Sequence, residues 1–243
     1  MGDAVGTMSL VQQSRVFLGV TRSALGRPWR DRLDTAGLGR AEALSQREGL
    51  SDILSRLLAS RGVEPAEAAL FLEPKLRDLL PDPAILTDME PAAARLAQAA
   101  MRGERVAIFG DYDVDGACSS ALLAGFLTQG GARPRIHIPD RLIEGYGPNS
   151  EAIRMLAGEG ATLLVTVDCG TTSEEPLAEA RRLGLDVVVL DHHQAPERLP
   201  AIEALVNPNR QDDLSGLGHL CAAGVGFLSL VATSRTLRRQ GHW

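Results

Sequence analysis

The sequence predicts an α/β fold: a mainly parallel sheet of about five strands, with helices on both faces and a small helical region ahead of it. Two observations carry this prediction. From residue 103 onward, short apolar runs alternate with segments of helical periodicity, the pattern of successive βαβ units. The apolar runs are Val-, Ile- and Leu-rich rather than alternating, as strands buried on both faces are.

Taken in order, residues 1–45 are rich in Gly, Arg and Ser with weak periodicity and read as a poorly structured arm. Residues 46–102 form a helical N-terminal region: Ile53, Leu54, Leu57 and Leu58 recur at helical spacing, a short helix follows Pro65, and an alanine-rich helix runs over 90–101. Leu79-Leu80-Pro81-Asp82-Pro83 breaks the periodicity between them. The core spans 103–243. Its strands are expected at 105–110, 135–138, 162–167, 187–190 and 202–206. Its helices are expected at 117–128, from Asn149 as cap to 156, at 173–183, and at 221–237. The last is apolar on most faces, through Val225, Phe227, Leu228, Leu230 and Val231, and should be buried all round; part of it is expected to lie bare and to promote self-association.

Composition excludes several classes. With 44% hydrophobic and 23% charged residues, the chain is not disordered as a whole. No apolar run approaches the roughly 18 residues that span a bilayer, and Met1 to Leu10 lacks the basic start and apolar core of a secretory signal. A cytoplasmic location with no membrane partner is the expectation. Cys118, Cys169 and Cys221 are too scattered for a zinc knuckle or a disulfide framework. Only 4% of residues are aromatic, which argues against a large base-stacking platform. Charge is uneven: residues 1–61 hold nine Arg against six acids, within a net charge of -6 for the whole chain.

Three motifs stand at strand ends: Gly110-Asp111-Tyr112-Asp113-Val114-Asp115-Gly116, Val167-Asp168-Cys169-Gly170 and Leu190-Asp191-His192-His193. Parallel sheets bind ligands beyond the carboxyl ends of their strands, so the three are expected to converge in one crevice. In an extended backbone the alternating Asp111, Asp113 and Asp115 point the same way. Such packed carboxylates repel and take up protons unless a cation neutralises them. With Asp168 and His192 they form an oxygen and imidazole set suited to Mn²⁺, with Mg²⁺ or Zn²⁺ as alternatives; there are enough ligands for two ions that clamp a phosphoryl group. The plainer readings are that Asp115 caps a helix starting at Ala117, or that D-x-D-x-D-G opens a calcium loop. Leu122 at the twelfth loop position excludes the second. Cys169 reads as packing, because the neighbouring Asp168 disfavours a thiolate. His137 and His219 read as structural. After the second strand, Arg141, Gly145 and Tyr146 lie in a Gly-rich loop aimed at the same crevice, with Arg141 suited to a phosphate and Tyr146 to a sugar or base.

At these residues the sequence resembles the DHH phosphoesterase superfamily. GDYDVDG, RLIEGYGPN, VDCGTTS, VLDHHQ, VNPNR and LCAAGVGF, with FLEPKLRDLLPDP upstream, look like its branch of bacterial exonucleases specific for single-stranded DNA. The likeness covers most of residues 50–235. It implies an α/β/α domain and a phosphodiesterase dependent on Mn²⁺ or Mg²⁺ that removes nucleotides from the 5′ end of single-stranded DNA in repair and recombination. Its implied partners are that DNA, a single-strand-binding protein and a helicase. Metal ligands would be Asp113, Asp115, Asp168 as the bridge, and His192. His193 would face the scissile phosphate, and Asp111 would support the cluster. Arg141, Gly145 and Tyr146 would contact substrate. The family also carries a further ligand Asp and a second domain beyond the point matching Trp243, so the chain is read as an N-terminal fragment. Alternative readings are a DHH enzyme acting on short oligonucleotides or small nucleotides, and a catalytically inactive module.

Overall fold

The computed structural model describes residues 16–243. The expected arm therefore lies in part, at residues 1–15, outside the described residues. The chain divides into two compact units, Met1–Leu80 and Pro81–Trp243. This boundary coincides with neither expected division, at 45 or at 102.

In the first unit, helix α1 (Thr35–Glu48) begins inside the stretch read as an arm. Asp34 caps it by accepting from Gly37 N at 2.7 Å, and its buried face, Ala41 and Leu44, packs with Leu58, Ala59, Val63 and Ala68. Helix α2 (Asp52–Ser60) is capped by Ser51; the short helices α3 (Ala68–Leu72) and α4 (Leu76–Leu79) follow. The arm reading failed at α1 because two of its three buried residues, Gly37 and Ala41, are small and give weak hydrophobic periodicity.

In the second unit, α5 (Met89–Arg102) leads into strand β1 (Arg105–Phe109), α6 (Val114–Gln129), β2 (Arg133–His137), α7 (Ser150–Gly158), β3 (Leu163–Val167), α8 (Glu174–Arg182), β4 (Asp186–Leu190), β5 (Ala204–Val206) and α9 (Ala222–Arg239). The strands form one five-stranded sheet of order β2-β1-β3-β4-β5, with every neighbouring pair parallel. Ala107, Phe109, Leu164, Val187, Val189 and Leu205 face α7 and α8 on one side, packing with Ile153, Leu156 and Leu177. The alternate residues face α5, α6 and α9. The sheet is thus covered on both faces, as expected.

Helix α5 belongs with this sheet unit because its alanine-rich face is buried against α9 and β5. The apolar run of α9 is covered too. Val225, Leu228, Leu230 and Leu237 are buried, and α9 packs on both α5 and α6. The exposed positions near its end are Arg235, Arg238 and Arg239, so the bare apolar face expected of α9 is not found. The sequence pattern shows that a helix needs cover, not how many neighbours supply it.

Helix α6 starts at Val114, three residues before the expected 117, and its cap is Asp113 rather than Asp115. Gly116 lies where this turn folds back on the end of β1. A Cβ there would sit 2.6 Å from both N and O of Asp111. Gly116→Ala is therefore expected to destabilise the chain by about 1–3 kcal/mol, the usual cost of overpacking. Urea denaturation checks this; a midpoint equal to wild type would show that the turn has slack.

Candidate metal and phosphate site

The strand order explains why distant motifs meet. From β1 the chain crosses to β2 on one side, and β3 and β4 lie on the other. The crevice at the carboxyl ends of β1 and β3 is a topological switch point, where open α/β sheets bind ligands. Gly110-Asp111 leaves β1, Asp168 leaves β3, and Asp191-His192-His193 leaves β4.

Asp168 is the centre of this crevice. Only 1% of it is exposed, and it adopts a left-handed backbone, φ 61°, a conformation costly for a residue with a side chain. Its Oδ1 lies 3.3 Å from His192 Nε2 but makes no hydrogen bond, so a buried carboxylate oxygen stands without a partner. Burial first, then the charges of Asp115 and Asp113, push this carboxyl up to about 8. Two groups of donor atoms meet on it. Asp111, Asp113 and Asp168 bring one oxygen each within 4.8 Å of one another, and Asp168, His192 and His193 do the same with an oxygen and two ring nitrogens. An orphaned buried oxygen on the residue common to both donor sets fits divalent cations that prefer oxygen and imidazole.

The three aspartates of the first motif do not point the same way. Asp111 is buried and accepts from Tyr112 N at 2.7 Å; burial raises its carboxyl, with the Asp113 charge adding to the shift. Asp113 accepts from Gly116 N at 2.9 Å, which holds its carboxyl low. Asp115, already inside α6, turns to the start of α9 and accepts from Ala222 N and Ala223 N, each at 2.7 Å. It lies 3.7 Å from His192 Nε2 and belongs to neither donor group. The extended-strand reading failed because Asp113 caps a helix, which replaces the two-residue period by a helical one.

Asp191, which the sequence reading did not single out, organises the histidine pair. It is buried and accepts from His193 Nδ1 at 2.8 Å, His192 N at 2.7 Å and Thr171 N at 3.1 Å. Burial works against its charge, but these hydrogen bonds hold it low. For His193, burial opposes the charged ring, yet the Asp191 bond and charge raise it above its ordinary value. Asn207 and Asn209, just past β5, fix the same loop. Asn207 is fully buried and donates to His193 O and Thr171 Oγ1, both at 2.9 Å; Asn209 Nδ2 donates to His192 O. Their signal in the sequence was their place directly after the fifth strand.

The loop after β2 flanks the crevice. Tyr146 donates to Asp168 O at 3.1 Å and stands edge-on to Tyr112 and His193. The exposed Arg141 guanidinium lies 5.3 Å from the Tyr112 ring centroid, a cation–π contact. Gly145 takes φ 81° and lines nothing closely. Cys169 is buried with its thiol pushed well up, first by burial, so it is packing. His137 is paired with Glu144 at 2.9 Å, and His219 is exposed.

Residues 105–240 match the family model described as the DHH family, N-terminal domain. The chain belongs to the DHH family. Among curated DHH relatives, the single-stranded-DNA-specific exonuclease RecJ of Bacillus subtilis is 36% identical over 77% of this chain and 24% of its own length. That of Escherichia coli is 38% identical over 79% of this chain and 33% of its own. The chain therefore spans about a quarter to a third of the length of these relatives. Among solved structures, RecJ of Thermus thermophilus in complex with Mn²⁺ superposes with a TM-score of 0.65 at 30% identity, covering 84% of this chain and 28% of that one. Exonuclease RecJ bound to manganese gives 0.58 at 38% identity, over 63% and 38%. These likenesses agree with the α/β/α fold of this DHH chain. No helix among the described residues is long and apolar enough to cross a membrane.

Proposed function

We propose that this chain carries the hydrolytic site of a phosphodiesterase that removes nucleotides from the 5′ end of single-stranded DNA. The carrying observation is the pair of donor groups meeting on Asp168. Its relatives, named as single-stranded-DNA-specific exonucleases and solved with Mn²⁺, support both the reaction and the substrate.

Asp113 and Asp111 with Asp168 would hold one cation, Asp168 and His192 the other. Two such ions supply Lewis acidity toward a phosphodiester and lower the pKa of water. Asp115 keeps the start of α9 against this cluster. His193, held through Nδ1 by Asp191, presents its other ring nitrogen for proton transfer at the phosphate or the leaving oxygen. Arg141 grips a phosphate by its fork, Tyr146 walls the crevice, and Gly145 lets the loop turn between them. We further propose a cytoplasmic enzyme of DNA repair and recombination, with a single-strand-binding protein and a helicase as partners, and a division of the chain in which residues 103–243 hold the chemistry.

The test uses a single-stranded oligonucleotide labelled at either end, with Mn²⁺ or EDTA. Mononucleotides should appear from the 5′ end in Mn²⁺ only. Release from the 3′ end, or faster turnover of pyrophosphate or a cyclic dinucleotide, would overturn the reading. In the same assay Arg141→Ala should raise KM about 3–10-fold with kcat nearly kept, as expected for one exposed charge-assisted phosphate bond of about 0.7–1.4 kcal/mol. An unchanged KM would return Arg141 to an ordinary surface loop.

A further inference from the structure

The opposite corner of the sheet carries an arrangement that the crevice does not use. Parallel register sets Arg105 of β1 directly beside Arg133 of β2, and Ala107 beside Arg135. Arg133 and Arg135 are two residues apart, so all three arginines rise from one face. They line a depression of about 220 Å³ floored by Ala107 and Leu156, with Glu159 the single acid on its wall. Arg105 Nη1 donates to Glu159 O at 2.6 Å, Arg135 Nε lies 3.3 Å from Glu159 Oε2, and Arg135 Nη1 donates to Ile136 O. All three side chains are exposed.

Like charges directly opposite each other on neighbouring strands destabilise a sheet. Charges and proline on an edge strand guard it against pairing with other chains, and β2, an edge strand containing Pro134, needs such a guard. That role does not account for Arg105, which sits on an inner strand. Three guanidiniums against one carboxylate leave an excess of positive charge whose forks match phosphate oxygens. From this corner β2 runs over about 13 Å, at 3.3 Å per residue, toward His137 and then the loop that brings Arg141 to the crevice.

We propose that Arg105, Arg133 and Arg135 form a second phosphate site, which holds the backbone of a single-stranded nucleic acid whose end lies in the acidic crevice. The identity of the strand rests on the DNA reading above; the phosphate site does not. Binding of a labelled 12-nucleotide single strand in EDTA, followed by fluorescence anisotropy, is compared for wild type, the double variant Arg133→Gln/Arg135→Gln, and Arg198→Gln as a distant control. The double variant should bind about 10-fold more weakly at low salt, and its log–log salt slope should be shallower by about 1.4, from roughly 0.7 per lost phosphate contact. With Mn²⁺, its kcat/KM on the 12-mer should fall about 10-fold, and that on a 5′-phosphorylated dinucleotide by less than about 2-fold. An unchanged slope, or equal losses on both substrates, overturns the proposal and leaves the arginines as edge guards. If wild type binds no single strand at all, the DNA reading fails. The phosphate site is then decided by titrating inorganic phosphate and following the Arg Nε–H resonances: larger shifts at Arg133 and Arg135 than at Arg198 uphold it, and equal shifts overturn it.

Discussion

Asp168→Asn is expected to abolish tight Mn²⁺ binding at both donor groups at once. Each group contains Asp168, and each would lose a charged oxygen, whereas His192→Ala or Asp113→Ala removes a donor from one group only. Losing a partner that merely supports a ligand typically costs 10–100-fold in metal affinity, so the shared ligand itself should cost more than about 100-fold. Calorimetry that finds two ions bound with wild-type affinity in the variant would refute the shared role. The same substitution carries an effect of opposite sign on the metal-free chain. Without cations, burial and the neighbouring Asp115 and Asp113 raise Asp168 from 3.8 to about 8. The folded state then holds this proton more tightly than the unfolded state, so its contribution to stability is complete below about pH 4 and is lost as pH rises to about 8. In EDTA, the wild-type melting temperature should fall relative to that of Asp168→Asn across this window. Parallel pH profiles would show that Asp168 is not protonated in the folded chain.

His193→Ala should lower turnover by about 10²–10⁴-fold, the usual contribution of a positioned acid or base, while Mn²⁺ affinity stays within a few-fold. His193 stands within reach of Asp168 and His192, but its Nδ1 is already committed to Asp191 at 2.8 Å, and it is the more exposed of the two histidines. Asp191→Asn should reproduce much of the loss without touching the ring, since it removes the charge that fixes the tautomer and raises the imidazole. If His193→Ala releases metal as fully as His192→Ala does, His193 is a ligand and the proton role falls elsewhere.

The sheet, its parallel order and the meeting of three motifs were legible because apolar runs and the polar residues that follow them are local patterns. Asp168, His192 and Asp113 were legible as candidate donors for the same reason: carboxylates and imidazoles announce their chemistry wherever they stand. The direction in which Asp115 points was not. It depends on whether Asp113 continues a strand or caps a helix, and the backbone turn at Gly116 decides that. Asn207 and Asn209, although part of the VNPNR motif, were given no role because an amide carries no titratable chemistry; their value lies in two carbonyls that only the folded chain brings to them. The start of α1 was missed because small residues bury little area and so write a faint periodicity.

The bond between Asp115 and the start of α9 spans 107 positions of sequence. Loop closure over such a distance is slow and is made late relative to local helices. During synthesis, Asp111, Asp113 and Asp168 leave the ribosome well before residues 222 and 223 arrive to hold Asp115. An unfinished chain would therefore contain the acidic motifs without the two bonds that hold Asp115. The order of synthesis thus makes docking of α9 the last step in fixing Asp115 beside the acidic motifs.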